Sequence, residues 1–166
     1  ERANDILARV LEDLSQEPMV RHEAAEALGA IGSAESVAVL EQFKNDPVIE
    51  VAETCQLALD RMKWLENPDN IEATLKNPYH SVDPAPPYSS NNIEELKKLL
   101  LDDSKNLFQR YRAMFTLRNM QTKEAIEVLG QALKCGGALF RHEVAFVLGQ
   151  LQNENGISFL KESLEN

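Results

Sequence analysis

Apolar residues recur along the chain at helical spacing, in short blocks punctuated by Gly, Pro, Asn and Asp. Ile6, Val10, Leu11 and Leu14 make the first block, which stops at Ser15-Gln16-Glu17-Pro18. Pro18 suits the first position of the next helix, where a missing N–H costs nothing. Val20, Ala24, Ala27, Leu28 and Ile31 form that helix's apolar stripe. After Gly32-Ser33, a partner helix over residues 35–43 offers Val37, Leu40 and Phe43. The cycle restarts at Asn45-Asp46-Pro47, where Asp46 is expected as N-cap and Pro47 as first helical residue. Aligning Pro47 with Pro18 gives a period of 29 residues. A second set of blocks begins at Ile93, and its helix around Tyr111 matches the one around His142 at a spacing of 31. Nothing reads as strand. Helical pairs at these periods predict an all-α fold, an αα-hairpin superhelical solenoid.

The composition changes midway. Five of the seven prolines lie between Pro68 and Pro87, interspersed with Asn, Asp and Ser. The predicted organisation is N-terminal repeats over residues 1–65, a Pro-rich linker over 66–92 and C-terminal repeats over 93–166. His80, beside Tyr79 in the linker, reads as an ordinary loop histidine.

One decapeptide recurs. Val20-Arg21-His22-Glu23-Ala24-Ala25-Glu26-Ala27-Leu28-Gly29 returns as Phe140-Arg141-His142-Glu143-Val144-Ala145-Phe146-Val147-Leu148-Gly149. Each histidine lies two residues past the first stripe position, about 200° around a helix, so both are expected to point away from the core. Their neighbours on that face are small: Ala25 and Gly29 in one copy, Ala145 and Gly149 in the other. The repeat between carries Val51 and Ala52 in the His-Glu register, and the helix before His142 carries Tyr111 and Arg112. Imidazole and carboxylate together suit iron, manganese or zinc, with ligands converging from neighbouring helices. The bland alternative is a solvated polar face with local ion pairs.

The texture Val-Arg-x-x-Ala-Ala-x-Ala-Leu-Gly-x-Ile-Gly resembles the short HEAT-like repeats shared with bilin lyases. A more specific resemblance rests on the two His-Glu helices, the segment Tyr79-His80-Ser81-Val82-Asp83-Pro84-Ala85-Pro86-Pro87, the run Gln109 to Phe115 and the run Ile49 to Cys55. Together these are similar to deoxyhypusine hydroxylase. Members of that family are HEAT-like proteins of two related halves in which four His-Glu motifs hold two irons that activate dioxygen. The substrate is deoxyhypusine, an aminobutyl-lengthened lysine, on a translation initiation factor. The resemblance implies His22 and Glu23 as ligands of one iron and His142 of the other, with Glu143 beside the site as the catalytic residue orienting the substrate amine. It also implies a cytoplasmic monooxygenase.

This chain has two of the four motifs, which resemble the family's second and third. The missing pair is expected just outside the chain, before Glu1 and after Asn166. Glu1 in place of Met fits a piece of a longer protein. As a monomer the chain alone is expected to be inactive. Apolar residues at either end, Ile6, Val10 and Leu14, then Ile157, Leu160 and Leu164, allow copies to associate end to end, either as a closed dimer that shares its half-sites or as a non-closing chain of copies.

Charge and cysteine usage narrow the alternatives. A net charge of −10 argues against nucleic-acid binding and suits a cationic partner. No apolar run reaches the roughly 18 residues that span a bilayer. Two cysteines, Cys55 and Cys135, sit at apolar helical positions and imply a reducing, intracellular setting. The rival functional reading is a non-catalytic repeat scaffold that binds proteins.

Overall fold

The structure, a computed structural model, describes residues 2–70 and 77–165. Among these no strand occurs. The helices are α1 (Arg2–Glu12), α2 (Pro18–Ile31), α3 (Val37–Phe43), α4 (Ile49–Leu65), α5 (Ile93–Leu101), α6 (Leu107–Met120), α7 (Lys123–Ala132), α8 (Ala138–Leu151) and α9 (Ile157–Glu165). Short 3-10 turns at Ala34–Ser36 and Glu154–Gly156 lead into α3 and α9. No helix among the described residues is long and apolar enough to cross a membrane.

The chain divides into two compact units. Unit 1 comprises Glu1–Glu72 with Val82–Pro84, and unit 2 comprises Ala73–Ser81 with Ala85–Asn166. Within the Pro-rich stretch, residues 68–70 are helical, whereas 77–92 form turns and extended backbone. His80 is exposed there, with φ +53°.

In unit 1, α2 packs against both α1 and α4. The core joins Leu11, Ala24, Ala25, Leu28, Leu40, Val51, Cys55 and Ala58. Pro18 does begin α2, and Gly32 ends it at φ +67°, in the left-handed region that glycine enters without a Cβ clash. The buried face of α2 is rotated from the expected stripe. Val20 and Ile31 are 43% and 50% exposed, while Arg21, His22, Ala25 and Gly29 are buried. The expected N-cap also differs: α4 starts at Ile49, and Asp46 accepts a hydrogen bond from the Val48 N–H at 2.8 Å. The aspartate's main partner is Arg21, whose Nη2 lies 2.6 Å from Oδ2 and whose Nη1 lies 3.2 Å from Oδ1. A bidentate guanidinium is a stronger claim on a carboxylate than a helix terminus.

In unit 2, side-chain oxygens cap three helices. Asn92 accepts from the Glu95 N–H, Asn106 from Phe108 and Gln109, and Thr122 from Ala125. Tyr111, Phe115, Ile126, Phe140 and Val144 are buried in its core. The Pro-rich segment is strapped to α6. Arg112 donates to the carbonyls of Pro86 and Pro87 at 3.0 and 3.2 Å, and its guanidinium lies over the Tyr88 ring at 4.0 Å. The Tyr88 N–H adds a bond to Thr116 Oγ1 at 2.8 Å.

Candidate functional site

His22 and Glu23 stand near the start of α2, one turn above Glu26. The prediction that both histidines point away from the core holds for exposed His142 and fails for His22, which is 2% exposed. The reason lies in the small residues beside His22. A Cβ added at Gly29 would fall 2.6 Å from Ala58 Cβ and 3.0 Å from Ala58 Cα, so α4 occupies the space those residues leave. At Gly149, the matching position of α8, no atom lies within 4 Å of such a Cβ. The same residue pattern therefore admits a neighbouring helix in one copy and leaves the second glycine open.

Burial against α4 gives His22 a partner. Its Nδ1 lies 3.1 Å from Thr54 Oγ1, and that hydroxyl donates to the Glu50 carbonyl at 2.7 Å. With its hydrogen already committed, Thr54 can only accept, so Nδ1 of His22 carries a proton. In the neutral ring the lone pair then sits on Nε2, which lies 3.4 Å from Glu23 Oε1. An imidazole nitrogen held in this tautomer beside a carboxylate is a pair of metal-competent donors. Glu23 itself is largely exposed. Farther along the helix, the Glu26 carboxyl titrates above its ordinary range, first because it is partly buried and then because Glu23 and Asp83 add negative charge nearby.

In unit 2, α8 presents His142 to solvent and buries Glu143, which is 6% exposed. On α6 the same register holds other chemistry. Tyr111 packs its ring 6.1 Å from Phe140 and 6.3 Å from Phe115. Arg112 grips the Pro-rich segment, and Val51 of α4 is core.

An arginine one residue before the histidine register, Arg21 in α2 and Arg110 in α6, carries a role that the periodicity did not disclose. Nε of Arg21 donates to the Leu11 carbonyl at 2.9 Å, and Nε of Arg110 donates to the Leu100 carbonyl at 3.0 Å. Each guanidinium also lies over a ring, Arg21 over Phe43 at 5.4 Å and Arg110 over Phe140 at 3.9 Å. Their recurrence at one register was the available signal. Arg118, fully buried, was not anticipated; it donates to Asn77 Oδ1 and Gln150 Oε1 and lies over the Tyr79 ring at 4.6 Å.

Helical pairs packed one against the next are the architecture of HEAT-like repeats, and the sequence agrees. The HEAT repeats profile matches residues 1–60, and the PBS lyase HEAT-like repeat profile matches residues 109–135 and 140–166. The described helices thus form HEAT-like repeats in each unit, an all-α repeat fold.

Within that class its resemblance is to the deoxyhypusine hydroxylases, over nearly every residue. It is 55% identical to deoxyhypusine hydroxylase of Drosophila melanogaster, covering 99% of this chain and 54% of that protein. The Mus musculus relative of that name is 56% identical, with 98% and 54% covered. A solved structure of human deoxyhypusine hydroxylase in complex with glycerol matches with a TM-score of 0.94 and 54% identity, over 99% of this chain and 57% of that one. The chain thus spans about half the length of the curated relatives it matches.

Proposed function

We propose that this chain is part of a cytoplasmic deoxyhypusine monooxygenase, which hydroxylates the deoxyhypusine side chain of a translation initiation factor with two irons and dioxygen. The observation that carries the reading is the placement of His22 between Thr54 and Glu23, with Nδ1 3.1 Å from Thr54 Oγ1 and Nε2 3.4 Å from Glu23 Oε1. Because the Thr54 hydroxyl donates to the Glu50 carbonyl, the favoured neutral ring carries its proton on Nδ1 and offers Nε2 to a metal beside the Glu23 carboxylate. Imidazole nitrogen with carboxylate oxygen is the donor chemistry that suits iron reacting with dioxygen. His22 and Glu23 would ligate one iron and His142 the other, with Glu143 beside the site to orient the substrate amine. Bound iron would supply the reduction of dioxygen. Glu23, Glu26 and Asp83, a local group of carboxylates in unit 1, attract the ammonium groups of the substrate.

The test loads ferrous iron anaerobically into the protein that carries this chain and then adds a deoxyhypusine-bearing substrate protein and dioxygen. Bound iron that falls in His22→Ala and in His142→Ala, together with a one-oxygen mass gain on the substrate, is the expected result. No mass gain with iron fully bound would defeat the reading.

A further inference from the structure

A groove of about 240 Å³ runs in unit 1 between α1 and the Ala34–Ser36 turn with α3. Two of its side chains, Asn4 and Ser36, are only 9% and 3% exposed. Among the described residues neither Asn4 Oδ1 nor Ser36 Oγ has a hydrogen-bond partner. Buried polar atoms are rarely left so, because the lost hydration is not recovered. Around them stand the exposed carboxylates of Asp5, Glu12 and Glu35. None of these three is in an ion pair among the described residues, and no lysine or arginine lines the groove.

The Asn4 amide oxygen, three carboxylates and the Ser36 hydroxyl can all accept, while the side-chain amides of Asn4 and Gln42 are the NH2 donors, so acceptors outnumber donors in the groove. The ligand it fits is a cation rich in N–H. A bare metal ion fits poorly: among the described residues these carboxylates do not bring three ligand atoms within 4.8 Å of one another. A lysine ammonium fits better, being a compact head with three rotatable donors on a slender alkyl stem. Ala8 and Val39 supply apolar wall for the stem. Asp5 and Glu12 stand two turns apart on α1, about 10 Å, which exceeds what one ammonium reaches. That spread calls for more than one positive charge on a single chain.

We propose that this groove binds a lysine side chain carried on a basic segment of another polypeptide, Asn4 Oδ1 and Ser36 Oγ accepting from the ammonium while Asp5, Glu12 and Glu35 draw in its charge. The proposal stands independently of the hydroxylase reading, since none of these residues belongs to the His-Glu pairs.

The test is a titration of the isotopically labelled protein that carries this chain, followed by amide NMR, with three probes: a short peptide containing spaced lysines, the same peptide acetylated at every Nε, and 1,5-diaminopentane. The lysine peptide is expected to shift the Asn4 side-chain amide and the Ser36 backbone amide saturably. Ser36→Ala should weaken binding about tenfold through the lost charged hydrogen bond. The double variant Asp5→Asn with Glu12→Gln, which alters exposed positions only, should weaken it as much and flatten its salt dependence. Equal binding by the acetylated peptide, or unchanged affinity in the exposed double variant, overturns the proposal. Diamine binding as tight as the peptide overturns the polypeptide assignment.

Discussion

The imidazole of His22 hands its Nδ1 hydrogen to Thr54, whose own hydroxyl hydrogen is already given to the Glu50 carbonyl. A residue on α4 thereby sets which nitrogen of a residue on α2 is basic. Thr54→Val should bind a divalent probe such as cobalt about tenfold more weakly, whereas Thr54→Ser should retain wild-type affinity. Competition titration of each variant against a chelator checks this, and equal affinity in Thr54→Val would remove the tautomer argument.

The two aligned glycines should respond in opposite directions. Gly29→Ala must push α2 from α4, because its Cβ would sit 2.6 Å from Ala58 Cβ, and a loss of about 2 kcal/mol is expected. Gly149→Ala meets nothing within 4 Å and gains helix propensity, about 0.5 kcal/mol. Urea unfolding of both variants makes the comparison.

Acid should weaken unit 1 through Asp46. Hydrogen bonds from Arg21, aided by the Val48 N–H, hold this carboxyl below its ordinary range despite its burial. A depressed folded value means the stabilisation is complete above the unfolded value near ~4 and is lost as pH falls through the folded one. Asp46→Asn should cost about 3 kcal/mol at neutral pH, and the variant should lose less further stability than wild type between pH 5 and 2. Unfolding free energies across that range give the answer; parallel pH curves for the two proteins would contradict it.

The thiols should separate cleanly. Cys55 is fully buried, and burial, reinforced by the charge of Asp46, pushes its thiol up to about 12. Since the thiolate is the nucleophile, Cys55 should stay unmodified by a thiol reagent at pH 8 in the native chain, while half-buried Cys135 reacts. Counting modified thiols before and after denaturant should give one and then two.

Much of the architecture was legible because stacked helices write their cores as apolar blocks at a regular period, and Pro18 and Gly32 mark the ends of α2. The face that His22 occupies was not. A single-helix projection treats every small residue as open space, but in a stack the next helix takes the space, as Ala58 does at Gly29. Only Gly149 keeps it. Asp46 misled for a related reason: its short-range signal is a cap, and its long-range partner, Arg21, lies 25 residues earlier. The His-Glu residues themselves were found from duplication, whereas their support, Thr54, has no duplicated counterpart to betray it.

The bonds from Arg21 to the Leu11 carbonyl and from Arg110 to the Leu100 carbonyl each close a loop of ten residues. Loops of that length close in roughly 10–100 ns, far sooner than distant segments meet. The cation that latches a helical hairpin is thus available before any neighbouring repeat arrives. Refolding of each unit should begin at α1 with α2 and at α5 with α6, so Arg21→Ala and Arg110→Ala should slow the folding rate rather than chiefly hasten unfolding.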